Sequence, residues 1–167
     1  YDVFRKSFSY QDKSRFDYWK RMEFSESEWF GLYKHAKEVG LIFLSTPFSF
    51  KAVDFLKTLG VKAWKIGSGE TNNFPMLEEI AKTKLPVILS TGLSDWAEIK
   101  DAISILNKYT NEIGILQCTT SYPCPPQEIG LNIIKEMKSK FDFPCGLSDH
   151  SGFIYPSLAA TALGADI

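Results

Sequence analysis

The chain has 167 residues, of which 44% are hydrophobic and 23% charged, and its formal net charge is −1. This composition is typical of a soluble globular protein with one core, and the charge gives no sign of the basic surface that nucleic-acid binding requires. The sequence has no run of about 18 apolar residues, so we predict no membrane-spanning helix. Its polar and aromatic start is unlike a signal peptide.

Three cysteines, Cys118, Cys124 and Cys145, form no C-x-x-C pair. Because an odd and sparse count favours a reduced cytosol over a disulfide framework, we predict a cytoplasmic protein. The sequence does not begin with Met, and it ends where a strand is predicted to begin. We therefore expect it to be an excerpt of a longer protein.

Short apolar runs bounded by turn residues alternate with amphipathic segments along the chain. Such runs are typical of buried parallel strands. The predicted strands are Leu41–Leu44, Lys62–Ile66, Pro86–Ser90, Ile113–Gln117 and Phe143–Ser148, with the start of another at Ala165–Ile167.

Helix signals fill the intervals between these runs. They consist of capping residues, a proline suited to a first turn, glycines that end helices, and apolar residues at helical spacing. In chain order they are a capping box of Ser25 and Glu28 closed by Gly40, then Ser49, Pro75, Ser94, and apolar series beginning at Leu131 and Leu158.

The repetition of strand and helix predicts an α/β fold with a parallel sheet covered by helices, in one domain over residues 1–167. The repetition alone does not separate a barrel from a doubly wound sheet. An intact (β/α)8 barrel takes about 250 residues, so about five central βα units plus the start of another strand fit a partial TIM barrel.

Polar residues follow the predicted strands, at the edge where parallel α/β sheets bind ligands. Hydroxyl groups and one ammonium group gather there, and they can surround a phosphate or a carboxylate with hydrogen-bond donors. The residues are Thr46, Lys65, Ser68, Ser90 and Ser148. Taken singly, each hydroxyl is more typical of a cap or turn. Lys65 fits a buried ion pair as well as it fits a function.

Three more side chains near strand ends leave alternatives open. Glu70 is a general base, a water-positioning group, the partner of Lys65 or a surface carboxylate. His150 binds a divalent metal, transfers protons or is structural, and one histidine is not a metal site without further ligands. Tyr122, in a proline-rich loop, lines a sugar pocket or packs the loop.

Five motifs stand in order at the predicted strand ends. They are F-L-S-T-P-F, K-I-G-S-G-E-T-N-N-F-P, P-V-I-L-S-T-G, I-L-Q-C-T-T-S-Y-P and G-L-S-D-H-S. Together they resemble the N-acetylneuraminate (sialic acid) synthase family over nearly the whole chain. The resemblance implies a (β/α)8 barrel that condenses phosphoenolpyruvate with open-chain N-acetylmannosamine or a related sugar and releases phosphate.

The resemblance also implies a role for each candidate residue. Phosphoenolpyruvate would be bound by Thr46, Lys65, Ser68, Ser90 and Ser148. Glu70 would be a catalytic carboxylate, Tyr122 would lie on the sugar side, and His150 would be one of two histidines that bind Mn²⁺ or Mg²⁺. Some members carry Asn where Thr120 stands, so Thr120 is left out of the predicted site.

The same resemblance implies parts that this sequence lacks. These are the first two strands, the second metal histidine, and a small C-terminal antifreeze-like domain that completes the partner's site in a homodimer. We therefore expect residues 1–167 alone to be inactive.

Three other interpretations stay open. One is another phosphoenolpyruvate- or phosphosugar-handling barrel of the aldolase type, in which Lys65 would form a Schiff base. The second is a non-catalytic polysaccharide-biosynthesis or sugar-binding protein that kept the fold. The third is a relative that makes a different nine-carbon sugar, such as pseudaminic or legionaminic acid.

Overall fold

The computed structural model describes residues 10–167. Contacts divide the chain into two compact units, Tyr1–Ile42 and Phe43–Ile167. A single domain over residues 1–167 stays a prediction. No helix in the described part of the chain is both long enough and apolar enough to cross a membrane.

The described part of the first unit contains two helices. Helix α1, Arg15–Met22, begins at Ser14, whose hydroxyl accepts from the Asp17 N–H. Helix α2, Glu26–Glu38, begins with the predicted capping box of Ser25 and Glu28. The sequence did not predict α1, which has no buried residue.

The second unit alternates helices with strands. Its elements are α3 (Phe50–Leu59), β1 (Trp64–Ile66), α4 (Phe74–Ala81), β2 (Val87–Ser90), α5 (Trp96–Leu106), β3 (Ile113–Cys118), α6 (Leu131–Lys140), β4 (Cys145–Ser148) and α7 (Tyr155–Ala162). Two short 3₁₀ helices follow β1 and β3, at Ser68–Glu70 and Pro126–Glu128.

The four strands form one parallel sheet in the order β1-β2-β3-β4. Each strand pairs with the next one along the chain, as Lys65 with Ile88, Ser90 with Leu116 and Cys118 with Ser148 show. This parallel, sequential order confirms the prediction for these four strands.

The predicted strand Leu41–Leu44 is wrong. The nearest backbone hydrogen bond to the sheet is made by Ser45, just after the segment, whose carbonyl accepts from the Lys65 N–H at 3.5 Å. Leu41 and Ile42 are 66% and 75% exposed, although a buried parallel strand needs cover on its faces and a regular ladder at its edges. An apolar run was therefore not enough to make a strand.

The predicted start of a strand at Ala165–Ile167 is also wrong. Asp166 donates its N–H to the Cys145 carbonyl at 2.7 Å, and the Leu147 N–H donates to the Ile167 carbonyl at 3.1 Å. In a regular parallel ladder, a single residue donates its N–H to one residue of the neighbouring strand and accepts at its carbonyl from another. Here Asp166 donates to β4 but Ile167 accepts from it, so the segment does not form a regular ladder with β4. Ile167 instead lies against the sheet at Gly114 and Gly146.

The side chains of each strand alternate between two faces of the sheet. The helix-covered face carries the apolar core and includes Trp64, whose indole N–H donates to Thr83 Oγ1 at 2.8 Å just beyond α4. Core residues on this face are at most 2% exposed: Trp64, Ile66, Val87, Leu89, Ile113, Ile115 and Cys145. The opposite face, called the inner face below, carries Lys65, Ile88, Ser90, Leu116, Cys118 and Ser148.

The helices of this unit begin largely as predicted. Ser49 caps α3 and Pro75 lies in the first turn of α4. The predicted start of α5 is corrected by one residue, because Asp95 rather than Ser94 is its cap. The Asp95 carboxylate accepts from two N–H groups of the first turn, and Glu98 completes a capping box.

Candidate functional site

A cavity of about 190 Å³ opens at the carboxyl ends of the strands in the second unit. Six of the eight candidate residues line it: Lys65, Ser68, Ser90, Tyr122, Ser148 and His150. Its wall also contains Phe48, Gly67, Gly69, Cys118 and Thr120. Thr46 and Glu70 are the two candidates outside its lining.

The register of the sheet explains why distant residues meet at this cavity. Lys65 pairs with Ile88, and Ser90 lies two residues further along the same face of β2. Cys118 pairs with Ser148 at the ends of β3 and β4. Since side chains repeat every two residues along a strand, all of these point to the inner face.

The ammonium group of Lys65 is the principal charge in the cavity wall. It donates to the hydroxyl of Ser90 in a short hydrogen bond. Burial lowers the pKa of Lys65, and the nearby Cys118 thiol works in the opposite direction. An anion in the cavity would favour the charged form and offset this burial.

Glu70 and Lys65 do not form an ion pair in the described structure. Its carboxylate accepts instead from the side-chain amide of Asn73, with 2.8 Å between Oε2 and Nδ2. Glu70 is half-buried at the end of the 3₁₀ helix that follows β1. It therefore stands beside the cavity residues Ser68 and Gly69 rather than in the wall.

Two hydroxyls of the cavity are held as acceptors by the protein itself. Ser90 accepts from Lys65, and Ser68 accepts from the Gly92 N–H at 3.0 Å. A hydroxyl that accepts through its oxygen still has its own proton to donate. The two serines can therefore donate toward a ligand, which makes the cavity suited to an anion.

Gly92, just after β2, lies against the end of β3 and the loop that follows it. A Cβ atom at this position would lie 2.6 Å from the Cys118 carbonyl oxygen and 2.8 Å from Thr120 Oγ1. Glycine therefore lets the backbone that holds Ser68 lie against the end of β3.

His150 is oriented by the backbone of the neighbouring strand end. Its Nδ1 lies 3.1 Å from the Thr119 carbonyl oxygen, which can only accept, so Nδ1 carries the proton in the neutral ring. The lone pair is then on Nε2. The Tyr122 ring packs against the imidazole with centroids 4.3 Å apart, and Cys118 Sγ lies 3.8 Å from Nδ1.

Thr46 lies beside the cavity, next to the end of β1. Its methyl group would be 3.5 Å from a Cβ added at Gly67, and Gly67 lines the cavity. Its contact with the cavity is therefore indirect in this structure.

The NeuB family model matches residues 2–167. This chain belongs to the NeuB family. The match extends over both compact units and includes every residue of the cavity.

Relatives of known name share much of the sequence. The chain is 41% identical over 157 residues to the N,N'-diacetyllegionaminic acid synthase of Campylobacter jejuni, covering 92% of this chain and 47% of the relative. It is 38% identical over 149 residues to the human N-acetylneuraminate-9-phosphate synthase, covering 89% of this chain and 42% of the relative. The chain thus spans somewhat less than half the length of these NeuB relatives.

A solved structure agrees with the fold. The N-acetylneuraminic acid synthetase of Leptospira borgpetersenii, crystallised in complex with citrate, is 38% identical with a TM-score of 0.85. The likeness covers 89% of this chain and 52% of that one. It confirms the resemblance inferred from the five motifs and the fold class, part of a TIM-type barrel, here with four strands.

The side chains of residues 10–167 do not by themselves form a binding site for a divalent metal. Between residues 10 and 167 the structure brings together no group of three or more His, Cys, Asp or Glu side chains able to hold one. Next to His150, the Asp149 carboxylate accepts from the Ser151 N–H at 3.1 Å and the Ser151 hydroxyl at 2.8 Å. The metal and the role of His150 as its ligand stay predictions.

Besides the two glycines Gly67 and Gly69, three cavity residues were not predicted as site residues. Cys118 could have been found, because it lies two residues after Leu116 on the inner face and pairs with Ser148. Thr120 is not in the predicted site because some members of the resembled family carry Asn at this position. Phe48 lies in an irregular segment before α3, where no periodicity indicates the direction of a side chain.

Proposed function

We propose that this chain forms the phosphoenolpyruvate-binding part of a synthase barrel that joins phosphoenolpyruvate to an open-chain N-acyl hexosamine. The products are a nonulosonate of the sialic acid type and inorganic phosphate. One observation carries the proposal: the Lys65 ammonium group and the Ser90 hydroxyl are joined in a cavity that donor groups line at the carboxyl ends of the strands.

The charge of phosphoenolpyruvate matches this cavity. Its phosphate and carboxylate need several donors at short range, and charge-assisted hydrogen bonds are the strongest that such a site can supply. Lys65, Ser68, Ser90 and Ser148 would provide them, with Thr46 beside the end of β1. The citrate complex of the Leptospira synthetase is consistent with an anion site in this family.

The reaction balances with one water molecule. The methylene carbon of phosphoenolpyruvate forms a bond to the sugar aldehyde carbon, while the C=O π bond breaks and the aldehyde oxygen takes up a proton to become a hydroxyl. The neighbouring carbon of phosphoenolpyruvate, which bears the phosphate, becomes cationic. Water adds to that carbon and loses one proton, which balances the proton taken up by the aldehyde oxygen. The carbon–oxygen bond to phosphate then breaks, and the new hydroxyl loses its proton to leave the ketone and inorganic phosphate. The residues around the cavity would hold both anionic groups through these steps, so that positioning supplies much of the rate.

Two residues would act at the edge of the cavity. The Glu70 carboxylate, beside Ser68 and Gly69, would orient the attacking water or accept its proton. Tyr122, packed on His150 and 70% exposed, would face the sugar.

A divalent metal is proposed for the full-length protein alone. His150 would be one ligand, through the Nε2 lone pair that the Thr119 carbonyl leaves free of a proton. The remaining ligands would come from outside residues 10–167. When bound, such a metal supplies Lewis acidity.

One feature favours a second candidate, an aldolase in which Lys65 forms a Schiff base. The pKa of Lys65 is lowered by burial, and a lysine with a lowered pKa is a better amine nucleophile. Borohydride reduction in the presence of a carbonyl substrate would trap a covalent adduct on Lys65 if this candidate is right. The synthase predicts no such adduct.

A phosphate-release assay tests the synthase proposal. The full-length protein would be mixed with phosphoenolpyruvate, Mn²⁺ and a panel of N-acyl hexosamines, including 6-phosphorylated and diacetamido sugars. We expect sugar-dependent release of phosphate with at least one of them, and none when the sugar is omitted. Phosphoenolpyruvate that stays intact with every sugar would refute the proposal, and the sugar that reacts would identify the substrate.

A further inference from the structure

The start of helix α4 departs from the other capped helices of the chain. Ser14, Ser25, Ser49 and Asp95 each accept from an N–H group in the first turn of their helix. Asn73 holds the same position before α4, and asparagine is among the best residues for it, yet its side chain makes no capping hydrogen bond. Capping is worth about 1 kcal/mol, so its absence needs an explanation.

The amide of Asn73 is directed to Glu70 instead. Its Nδ2 donates to Glu70 Oε2 at 2.8 Å, and its backbone N–H donates to the Glu70 carbonyl at 3.1 Å. Asn73 therefore holds Glu70 at both the main chain and the side chain. An amide NH₂ group that donates to a carboxylate oxygen restrains the orientation of that carboxylate.

The turn that carries Glu70 is itself fixed to the sheet. Thr71, which is fully buried, donates its hydroxyl to the Ser90 carbonyl at 2.8 Å. The Glu70 N–H donates to the Gly67 carbonyl at 2.9 Å. Through these bonds the Glu70 carboxylate has a defined position relative to Ser90 and Ser68, both of which line the cavity.

We infer that Asn73 is a positioning residue, which orients the Glu70 carboxylate at the edge of the cavity and is therefore not available to cap α4. The inference rests on the proposed function, in which Glu70 acts on water. Asn73 acts through Glu70 and touches no reacting atom.

The test is Asn73→Ser in the full-length protein. Serine lacks the amide donor, adds no charge and is a good cap. We expect kcat to fall about 10-fold or more with little change in the KM for phosphoenolpyruvate, because a hydrogen bond to a charged group is lost. The melting temperature should stay the same or rise, because serine can cap α4.

Asn72→Ser is the matched control. Asn72 is exposed and also donates to a carboxylate, Glu98 Oε1 at 3.1 Å, on the surface. The same substitution one residue earlier should leave kcat unchanged. If Asn73→Ser folds poorly, Asn73→Asp removes the donor while keeping the size and a capping oxygen.

A second readout separates this inference from the proposed function. Carbon-detected NMR of labelled glutamate, with Glu70→Gln for assignment, reports the surroundings of the Glu70 carboxylate whether or not phosphate is released. We expect the chemical shift of its carboxylate carbon to change in Asn73→Ser and not in Asn72→Ser. An unchanged chemical shift in Asn73→Ser, or a fall in kcat that merely follows a fall in melting temperature, would overturn the role of Asn73. Absence of phosphate release by the wild-type protein would refute the synthase alone.

Discussion

The two faces of the sheet use the same four strands for different purposes. On the helix-covered face, side chains such as Trp64, Leu89 and Ile115 are fully buried and apolar. On the inner face, at the carboxyl ends, the alternate residues Lys65, Ser90 and Ser148 are polar and surround a cavity. One face therefore stabilises the unit, and the other supplies the groups for binding an anion.

This division has an energetic consequence. Burying the Lys65 ammonium group costs free energy that no carboxylate offsets with an ion pair in the described part of the chain. Natural proteins accept such a cost mainly at functional sites. Substitutions on the helix-covered face should therefore change stability, and substitutions on the inner face should change binding.

The largest expected effect is on the helix-covered face. Trp64→Ala removes a side chain that is 0% exposed, together with its hydrogen bond to Thr83. We expect a loss of about 3 to 5 kcal/mol in the free energy of unfolding, measured by chemical denaturation of the full-length protein. Trp64→Phe should lose less. A loss below about 1 kcal/mol for Trp64→Ala would show that this face is not the core.

Lys65→Met, on the inner face, should lower activity without lowering stability. We expect kcat/KM for phosphoenolpyruvate to fall by about 2 to 4 kcal/mol in transition-state stabilisation, because a charge-assisted contact in a sheltered site is lost. Stability should stay the same or rise, since the burial of a charge is relieved. Lys62→Met, an exposed lysine just before β1, is the control. Equal kcat/KM in Lys65→Met and Lys62→Met would break the distinction between the faces.

Gly92→Ala and Gly69→Ala test the packing around the cavity as a matched pair. A Cβ at Gly92 would press on the Cys118 carbonyl and move the N–H that holds Ser68, whereas a Cβ at Gly69 would meet nothing within 4 Å. We expect about 1 to 3 kcal/mol of overpacking cost and a raised KM in the first variant alone. Similar kinetics in both variants would show that the close packing at Gly92 does not position Ser68 for binding.

The predictions from sequence succeeded where local chemistry decides the outcome. Ser25 with Glu28 and Ser49 start helices as expected, because a cap satisfies N–H groups of its own helix. The Leu41–Leu44 strand failed, because a strand needs a partner that an apolar run does not reveal. Lys65 was predicted in the site because polar residues gather at the ends of the apolar runs, whereas Asn73 was missed because its role depends on its contact with Glu70.

The smallest expected effect is the pH dependence of stability. The pKa of Lys65 is lowered in the folded protein from an ordinary value of 10.5, mainly by burial. Between the lowered value and 10.5 the unfolded chain binds more protons, so the Lys65 contribution makes the protein more stable as pH rises through this window. The stability advantage of Lys65→Met over wild type should therefore shrink there. A constant difference in unfolding free energy would contradict this.

In the proposed function, the inner face binds phosphoenolpyruvate at the carboxyl ends of the strands. A crystal structure of the full-length protein with phosphoenolpyruvate tests this most directly. We predict that a phosphate or carboxylate oxygen lies about 2.7 to 3.0 Å from Lys65 Nζ, with hydroxyls of Ser90 and Ser148 donating to the same molecule. Phosphoenolpyruvate bound elsewhere, with Lys65 still donating only to Ser90, would contradict the account.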